Sequence, residues 1–542
     1  MPTRWAEWRE LPLTSFTKLP SDEAAVLAAP LATPCARAAA PWILAATILA
    51  SSMAFIDGTV ANIALPALQR EFSATVFDAQ WVIESFALFL SALMLVGGAA
   101  GDRFGRRRVF AVGVALFTAA SLWCGLASGI QELIVARAVQ GLGGALLVPG
   151  SLSIISASFA EGERGKAIGT WSGYSAITAG VGPVLGGYLI DHLSWRYAFL
   201  INLPIGVAVL ALTYWRVPES RNLAAGSGVD WIGGVLASAG LGGTVYALIE
   251  SSVKGWNHPA VLGALALGVV ALVAFVFVER RHPAPMLPLE LFKSRNFSAA
   301  NALTLLLYAA LGGSLFFLPL NLIQVQSYST TQAGAALLPF VLCLFLLSRW
   351  AGGLVNRYGA KPPLIVGPAL AGAGFLLLAV PGIGGSYWLA FFPGVLVLGI
   401  GMAITVAPLT TVVMSSVGQQ AAGAASGINN AVSRVAALLA IALLGIVMAQ
   451  SFNRALGQAL PSLSLSPQSV QMVESQRDKL AGIELPAEID TQARNALQHA
   501  IDGSFVYGFR AVMILGALLS FASAGLALVW IEHRRAGVSR SM

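Results

Sequence analysis

Charged residues are scarce in this chain. Of its 542 residues only 11% are Asp, Glu, Lys or Arg, whereas 57% are hydrophobic. An ordinary soluble domain carries roughly 25% charged residues, and disordered chains combine low hydrophobicity with high charge. The composition therefore excludes both classes and predicts an all-α, polytopic membrane protein. The apolar runs are continuous over about 20 residues, which argues against the alternating strands of a membrane barrel.

Cysteine and histidine are also few. The three cysteines and five histidines are dispersed along the chain, without the spacing of a disulfide framework or a metal site. Neither a P-loop nor a nucleophile elbow is present. We therefore expect no metal, no cofactor and no direct use of ATP. A membrane-embedded enzyme, which would need a catalytic cluster, is disfavoured for the same reason.

The chain begins without a compact apolar stretch. Its first 40 residues hold acidic residues and several prolines, whereas a cleaved signal peptide needs a short apolar region. The first apolar segment is therefore expected to act as an uncleaved membrane anchor.

Fourteen apolar segments are long enough to cross a bilayer as helices, which takes about 20 residues. With both termini on one side, 22 of the 32 Lys and Arg residues fall on that side, 7 on the other and 3 within spans. By the positive-inside rule both termini are cytoplasmic. The net charge of +7 then reflects orientation, so nucleic acid is not expected as a partner. The predicted spans are 42–66, 79–100, 108–127, 131–156, 165–190, 195–215, 229–250, 260–279, 296–320, 332–355, 361–380, 387–411, 424–449 and 507–531.

A short motif occurs twice. Gly98–Arg108 follows the second span and Gly352–Lys361 follows the tenth, with glycines and an arginine at the same offsets and Asn356 in place of Asp102. Two six-helix halves with two inserted helices explain this repeat, and such repeats are typical of secondary transporters. The predicted regions are a tail 1–41, a first half 42–215, inserted helices with a linker 216–295, a second half 296–531 with an extracytoplasmic connection 450–506, and a tail 532–542.

Five stretches of the sequence carry a family resemblance: Asp57–Pro66, Gly98–Arg108, Arg137–Gly143, Gly182–Gly187 and Trp195–Pro204. They resemble signatures of the major facilitator superfamily, and more narrowly of its fourteen-helix drug:proton antiporters. The likeness runs from about Trp42 to Ile531, although Thr178 stands where the antiporter signature has glycine. The resemblance implies the major facilitator fold and proton-coupled export across the cytoplasmic membrane.

The Gly98–Arg108 stretch places a carboxylate and several guanidinium groups at a helix junction. Such groups can form charge-assisted bonds to the end of a neighbouring helix. The resemblance implies a conformational latch that stabilises the outward-open state, and a plain positive-inside anchor is the alternative. The latch residues would be Gly98, Asp102, Arg103, Gly105 and Arg106.

The fifth predicted span is rich in glycine. Small residues let helices approach closely, and a proline inside the span bends it. The resemblance implies that this helix seals and pivots against the opposite half of an antiporter. General small-residue packing is the alternative. The residues concerned are Gly182, Pro183, Gly186 and Gly187.

Three charged residues interrupt the first four spans at a similar depth: Asp57, Glu84 and Arg137. Charges in hydrocarbon are costly and usually face a cavity or a partner. An acid beside a guanidinium releases its proton more readily than the same acid when desolvated. Alternating access could therefore load and release a proton at this cluster. The alternative is a static buried ion pair.

A long stretch of the second half contains no acidic residue. No Asp or Glu occurs between Glu290 and Glu474, so spans nine to thirteen offer no carboxylate. Arg434, near two asparagines, is the polar focus there, for substrate binding, gating or simple packing. Asn62, in the Asp57–Pro66 stretch, is also predicted to belong to the proton or substrate site.

Together these features predict a proton-coupled antiporter that exports small amphiphilic or cationic compounds. Protons, the substrate and the lipid bilayer are the expected partners, and a monomer is favoured. A dedicated exporter of one metabolite or antibiotic is the main alternative. A membrane-embedded enzyme and a non-transporting sensor are less favoured.

Overall fold

Helices make up the regular secondary structure of the described residues. The computed structural model describes residues 39–159, 161–221, 230–282, 285–417, 422–463, 465–485 and 489–532. Within them, thirteen helices are long and apolar enough to cross a membrane. A further helix, Glu161–His192, has 32 residues and is rich in glycine. With it the described part has fourteen long helices, in agreement with the predicted fourteen-helix, all-α membrane fold.

We number these long helices α1 to α14 in chain order. Three are divided or extended: α6 by a short break at Ile201, α9 by a final π-helical turn, and α10 by a break between its two pieces. The bounds are α1 Ala40–Phe72, α2 Val76–Phe104, α3 Arg106–Leu126, α4 Ile130–Ser158, α5 Glu161–His192, α6 Arg196–Leu200 with Asn202–Arg216, α7 Trp231–Lys254, α8 Pro259–Arg281, α9 Arg295–Leu320 with Asn321–Val325, α10 Thr330–Ala335 with Leu338–Tyr358, α11 Lys361–Leu378, α12 Phe392–Ser415, α13 Ala422–Ala459 and α14 Thr491–Trp530.

The helices form two groups. In the first half α4 packs against α2 and α3, and α1 packs against α5; in the second half α12 packs against α10 and α11, and α9 against α13 and α14. The inserted helix α7 contacts α2 and α13, so it touches both halves. Its partner α8 packs mainly on α7, and only 17% of the residues in its most apolar stretch are buried. Because that surface is apolar, α8 suits a lipid-facing position.

The repeated motif forms equivalent turns. Gly105, with φ of 112°, separates α2 from α3, and Gly359, with φ of 77°, ends α10 just before α11. Glycine is favoured there because a positive φ is strained for residues with a Cβ. The sequence predicted that the second span ends near residue 100. Instead α2 continues to Phe104, and the turn narrows to the single residue Gly105.

The predicted connection 450–506 contains helical extensions at both of its ends. Helix α13 continues to Ala459 and α14 already begins at Thr491, where the Asp490 side chain accepts a hydrogen bond from the backbone N–H of Ala493. Both extensions are more polar than the spans, so hydropathy alone ended them early. The shorter connection carries the small helices Leu460–Ser462, Pro467–Glu474 and Arg477–Gly482.

The bundle has two ends, which we name after one residue each. The end that holds the turns at Gly105 and Gly359 is the Gly105 end. The opposite end holds the 73–75 and 193–195 connections and the end of α5, and it is the Asp191 end.

Candidate functional site

A buried polar cluster lies inside the first half, where α1, α3, α4 and α6 meet. The Asp57 carboxylate is ion-paired with the Arg137 guanidinium. Arg137 Nη1 also donates to Gln140 Oε1 at 2.6 Å, and its Nε donates to the Val82 carbonyl at 3.0 Å. Gln140 Nε2 donates to Asp57 Oδ1 at 2.7 Å. Asp57 is 1% exposed, and Arg137 and Gln140 are fully buried.

Two further polar side chains and one ring complete this cluster. Asn202 Nδ2 donates to Asp57 Oδ1 at 3.4 Å and to Ser121 Oγ at 3.1 Å. The Phe86 ring lies 4.3 Å from the Arg137 guanidinium carbon, in cation–π geometry. A buried ion pair is tolerated only when hydrogen bonds satisfy its remaining atoms. The cluster meets that requirement, so it can hold a charged Asp57 away from water.

Two of the five polar side chains in this cluster, Asp57 and Arg137, were predicted from the sequence, and the other three were missed. Gln140 follows Arg137 by three residues, a spacing that places both on one helix face. Asn202 lies in the Trp195–Pro204 stretch, which resembles a signature of the family. Ser121 gave no signal, because single serines are common in membrane helices.

Glu84 lies apart from the cluster. It is 0% exposed, and neither carboxylate oxygen has a hydrogen-bond partner among the described residues. Its depth predicted a place beside Asp57 and Arg137. Depth along a helix does not fix the face, however, and Glu84 shares its face of α2 with Gln80, which donates to the Ile441 carbonyl of α13 at 3.4 Å.

The remaining polar candidates lie elsewhere. Asn62 Nδ2 donates to the Gly58 carbonyl of its own helix at 3.3 Å, outside the Asp57 cluster. Asn429 donates to Asn301 at 3.2 Å and to Thr304 at 2.7 Å, which joins α13 to α9. Arg434 is partly exposed, and its Nε has no hydrogen-bond partner among the described residues.

The predicted latch residues bind within the first half in this conformation. The Asp102 carboxylate pairs with Arg106 at 2.8 Å across the Gly105 turn, and Arg106 Nη1 donates to the Ser153 carbonyl of α4 at 3.3 Å. Arg103 lies over the Phe104 ring, with 5.5 Å to the centroid. These contacts bind α2, α3 and α4 together rather than to the second half.

Glu219 joins this region and was not predicted. It accepts a hydrogen bond from the backbone N–H of Arg107 at 3.1 Å and lies 3.6 Å from Arg108. A Cβ on Gly105 would lie 2.7 Å from its carboxylate, so any larger residue there would displace the Glu219 side chain, and the positive φ is the stronger reason for glycine. The sequence signal that could have indicated Glu219 is its place as an acidic residue between Arg216 and Arg221. The Asn356 side chain lies outside the described part of the chain.

The α5 glycines lie between the two halves. A Cβ on Gly186 would be 2.6 Å from Val60 Cγ2 of α1, and one on Gly187 would be 2.5 Å from the Thr330 carbonyl of α10. The backbone of Pro183 lies equally close to Gly334 of α10, and Gly182 approaches Thr59 of α1. Helix α5 therefore packs on α1 through one set of glycines and on the opposite half through another.

Asp191, at the end of α5, binds the first turn of α10. Its two carboxylate oxygens accept from the backbone N–H groups of Thr330 at 3.1 Å and Thr331 at 2.8 Å. They also accept from both hydroxyls, that of Thr331 at 2.6 Å. We call this set of four bonds the Asp191 clasp. No sequence pattern predicts this clasp, because it joins residues about 140 positions apart.

Two more hydrogen bonds join the halves toward the same end. Gln324 donates to Gln69 Oε1 at 2.9 Å, and Gln80 donates to the Ile441 carbonyl. Together with the Asp191 clasp they hold the Asp191 end of the bundle closed.

Comparison with known proteins places this geometry in a family. The family model "Major Facilitator Superfamily" matches residues 47–441. The multidrug resistance protein Stp of Mycobacterium tuberculosis is 36% identical over 75% of this chain and 75% of its own. The tetracenomycin C resistance and export protein of Streptomyces glaucescens is 30% identical over 90% and 91%.

A solved structure shares the fold. The inward-facing, occupied structure of a bacterial homologue of the human lysosomal transporter Spinster aligns with a TM-score of 0.64 and 16% identity, covering 91% of this chain and 97% of that one. The helix arrangement and the matched family model together establish the class of this protein. The chain is a multi-pass membrane transporter, not an enzyme, and it belongs to the major facilitator superfamily.

Proposed function

We propose that this transporter exports small amphiphilic compounds from the cytoplasm in exchange for protons, by alternating access. The supporting observation is the pair of buried acids in the first half: Asp57 is bound to Arg137 and Gln140, whereas Glu84 has no described partner. An ionised carboxylate without partners is expensive in an apolar interior. The two acids therefore suit different protonation states in one conformation, which is what a proton exchanger needs.

In this proposal the Gly105 end faces the cytoplasm, as the Lys and Arg distribution indicates. The structure then corresponds to a state closed on the outside, held by the Asp191 clasp. The reverse state would release the clasp and bring the Gly105 ends of the halves together. The Asp102–Arg106 region would then contact the second half and act as the latch.

The expectation of cationic substrates loses its support. An acid exposed in the cavity would attract cations, yet Asp57 is 1% exposed and Glu84 is 0% exposed in this conformation. Amphiphilic character remains, because the spans that would line a cavity between the halves are apolar. The names of the relatives, resistance and export proteins, agree with export of such compounds.

Purified protein in vesicles tests the proposal. Addition of a transported compound should release or take up protons in the wild type, and Asp57→Asn should abolish this exchange while the protein still inserts. Glu290→Gln is the matched control, because Glu290 is exposed and pairs only with the exposed Lys293 at 3.3 Å. Normal exchange by Asp57→Asn would remove Asp57 from the mechanism. Transport without any proton movement would refute coupling itself.

A dedicated exporter of one compound is the second candidate. It is favoured by the 90% coverage of this chain by a protein named for the export of tetracenomycin C. A panel of unrelated amphiphilic compounds separates the two: several competing substrates indicate a multidrug exporter, and a single one indicates a dedicated exporter.

A further inference from the structure

Arg434 lies on the face of α13 that meets the first half. A Cβ on Gly427 would lie 3.3 Å from Leu95 of α2, and one on Gly445 would contact Gln80 of the same helix. Arg434 follows Gly427 by seven residues and precedes Gly445 by eleven. These intervals are close to two and three full helical turns. Arg434 therefore lies between two points where α13 touches the opposite half.

The Arg434 guanidinium has no partner among the described residues, and its Nε is buried. The Arg434 side chain is partly exposed, and no ion pair or hydrogen bond joins it to another described residue. Asn430, one turn earlier on the same face, is exposed as well. The two side chains thus present donors toward the space between the halves. Around them the helix is apolar, with Ala437 and Leu444 packed on α9.

No acid on α9 to α13 can neutralise this arginine. The sequence has no Asp or Glu between Glu290 and Glu474. In the first half Asp57 is already bound to Arg137. Glu84 is fully buried and lies on the contacting face of α2, but it is not within ion-pair distance of Arg434. An unpaired guanidinium between two apolar surfaces is costly, so it indicates a functional partner.

We propose that Arg434 and Asn430 form the polar subsite for the substrate, and that this subsite takes an anionic or strongly hydrogen-bond-accepting oxygen, such as a carboxylate, phenolate or quinone carbonyl, on an otherwise apolar molecule. Arginine suits this task because its fork of N–H groups matches planar oxygen pairs. The subsite rests on the proposed export function and narrows its substrate class. Transport would prefer acidic or neutral acceptor-bearing apolar compounds over cations.

A matched pair of dyes tests the subsite. Fluorescein and rhodamine 123 share a tricyclic xanthene scaffold, but the first is anionic and the second cationic at neutral pH. We expect the wild type in vesicles to transport fluorescein in preference to rhodamine 123. Arg434→Gln should lower that preference by at least about tenfold, since a hydrogen bond to a charged group contributes roughly 1.5–3 kcal/mol. Arg434→Glu should favour rhodamine 123.

The control is Arg510→Gln, because Arg510 of α14 is exposed and binds only the Val380 and Pro381 carbonyls. Equal loss of both dyes in Arg434→Gln, with their ratio unchanged, would assign Arg434 a structural role and overturn the subsite. A wild type that prefers rhodamine 123 would do the same. Binding of each dye to the purified protein, measured by fluorescence polarisation, keeps the test separate from transport. Selective binding without transport would support the subsite and refute export.

Discussion

Asp57 and Arg137 come from different helices, α1 and α4, and form an ion pair that is almost completely shielded from water. Gln140 bonds to both partners and so fixes their relative orientation. Removal of one member of such a pair leaves a buried charge without a partner, which typically costs about 3–5 kcal/mol. Substitution of a neighbour such as Gln140 is therefore a gentler probe of the pair than substitution of either charge.

Gln140→Leu should weaken the cluster without removing its charges. The substitution deletes the hydrogen bonds to Arg137, Asp57 and Ser121 at nearly constant volume. We expect destabilisation of about 1–3 kcal/mol, seen as a lower melting temperature of the detergent-purified protein, and slower proton exchange. Gln471→Leu, at an exposed site in the connection between α13 and α14, should leave the melting temperature and the proton exchange unchanged. An unaltered melting temperature in Gln140→Leu would show that the cluster tolerates loss of its bridge.

Gly187→Leu should force α5 away from α10. A Cβ there would already lie 2.5 Å from the Thr330 carbonyl, and backbone cannot move as easily as a side chain. Overpacking typically costs about 1–3 kcal/mol, so we expect lost transport and lower thermal stability. Gly263→Leu is the matched control, because no atom lies within 4 Å of a Cβ at that position in α8. Equal tolerance of leucine at both sites would contradict close packing between the halves.

Asp191→Ala should loosen the closure at the Asp191 end. The variant loses all four bonds of the Asp191 clasp, and we expect the population open at this end to rise at least about fivefold, equivalent to roughly 1 kcal/mol. Thiol labelling of a cysteine introduced at Ala67, beside Asp191, would measure the opening in a background without native cysteines. Asp490→Ala removes a cap within α14 alone and should not change labelling. Unchanged labelling in Asp191→Ala would show that other contacts hold the end closed.

Asp478→Asn should stabilise the connection between α13 and α14 at neutral pH. Burial raises the pKa of Asp478 above its usual value, and the charge of Asp78 adds to the effect. Because the folded-state pKa is the higher one, this group's contribution to stability is fully present below the unfolded pKa and is lost as pH rises through the folded pKa. The melting temperature of Asp478→Asn should therefore exceed that of the wild type at pH 7, and the difference should shrink as the pH falls and vanish below the unfolded aspartate pKa of about 3.9. A constant difference at all pH values would exclude titration of Asp478, and exposed Glu474→Gln is the control.

Hydropathy predicted the membrane helices well and their ends poorly. The helices α13 and α14 extend well past the predicted spans, because polar residues outside the membrane can continue a helix without changing its backbone hydrogen bonds. The turn at Gly105 was found from its motif. Its extent was not, because helix propensity alone does not end α2 before the residue with positive φ.

The candidate site was predicted in part. Asp57 and Arg137 were chosen because charges within spans need a partner, and the structure pairs them. Glu84 satisfied the same reasoning and the same depth, yet its face of α2 turns toward α13. The Asp191 clasp was missed, because a carboxylate near a helix end looks like ordinary surface charge until the opposite half is placed beside it.

By itself, the sequence determined that this chain lies in a membrane as two repeated groups of helices, because apolar length and charge distribution are local properties that water and lipid sort directly. It also determined that spans nine to thirteen have no carboxylate. Only the tertiary structure decided which polar groups meet. Pairings such as Asp57 with Arg137 and Asp191 with Thr331, and the lack of a described partner for Arg434, depend on how each helix is rotated and packed. Those rotations follow from side-chain contacts between distant segments, which no single stretch of sequence contains.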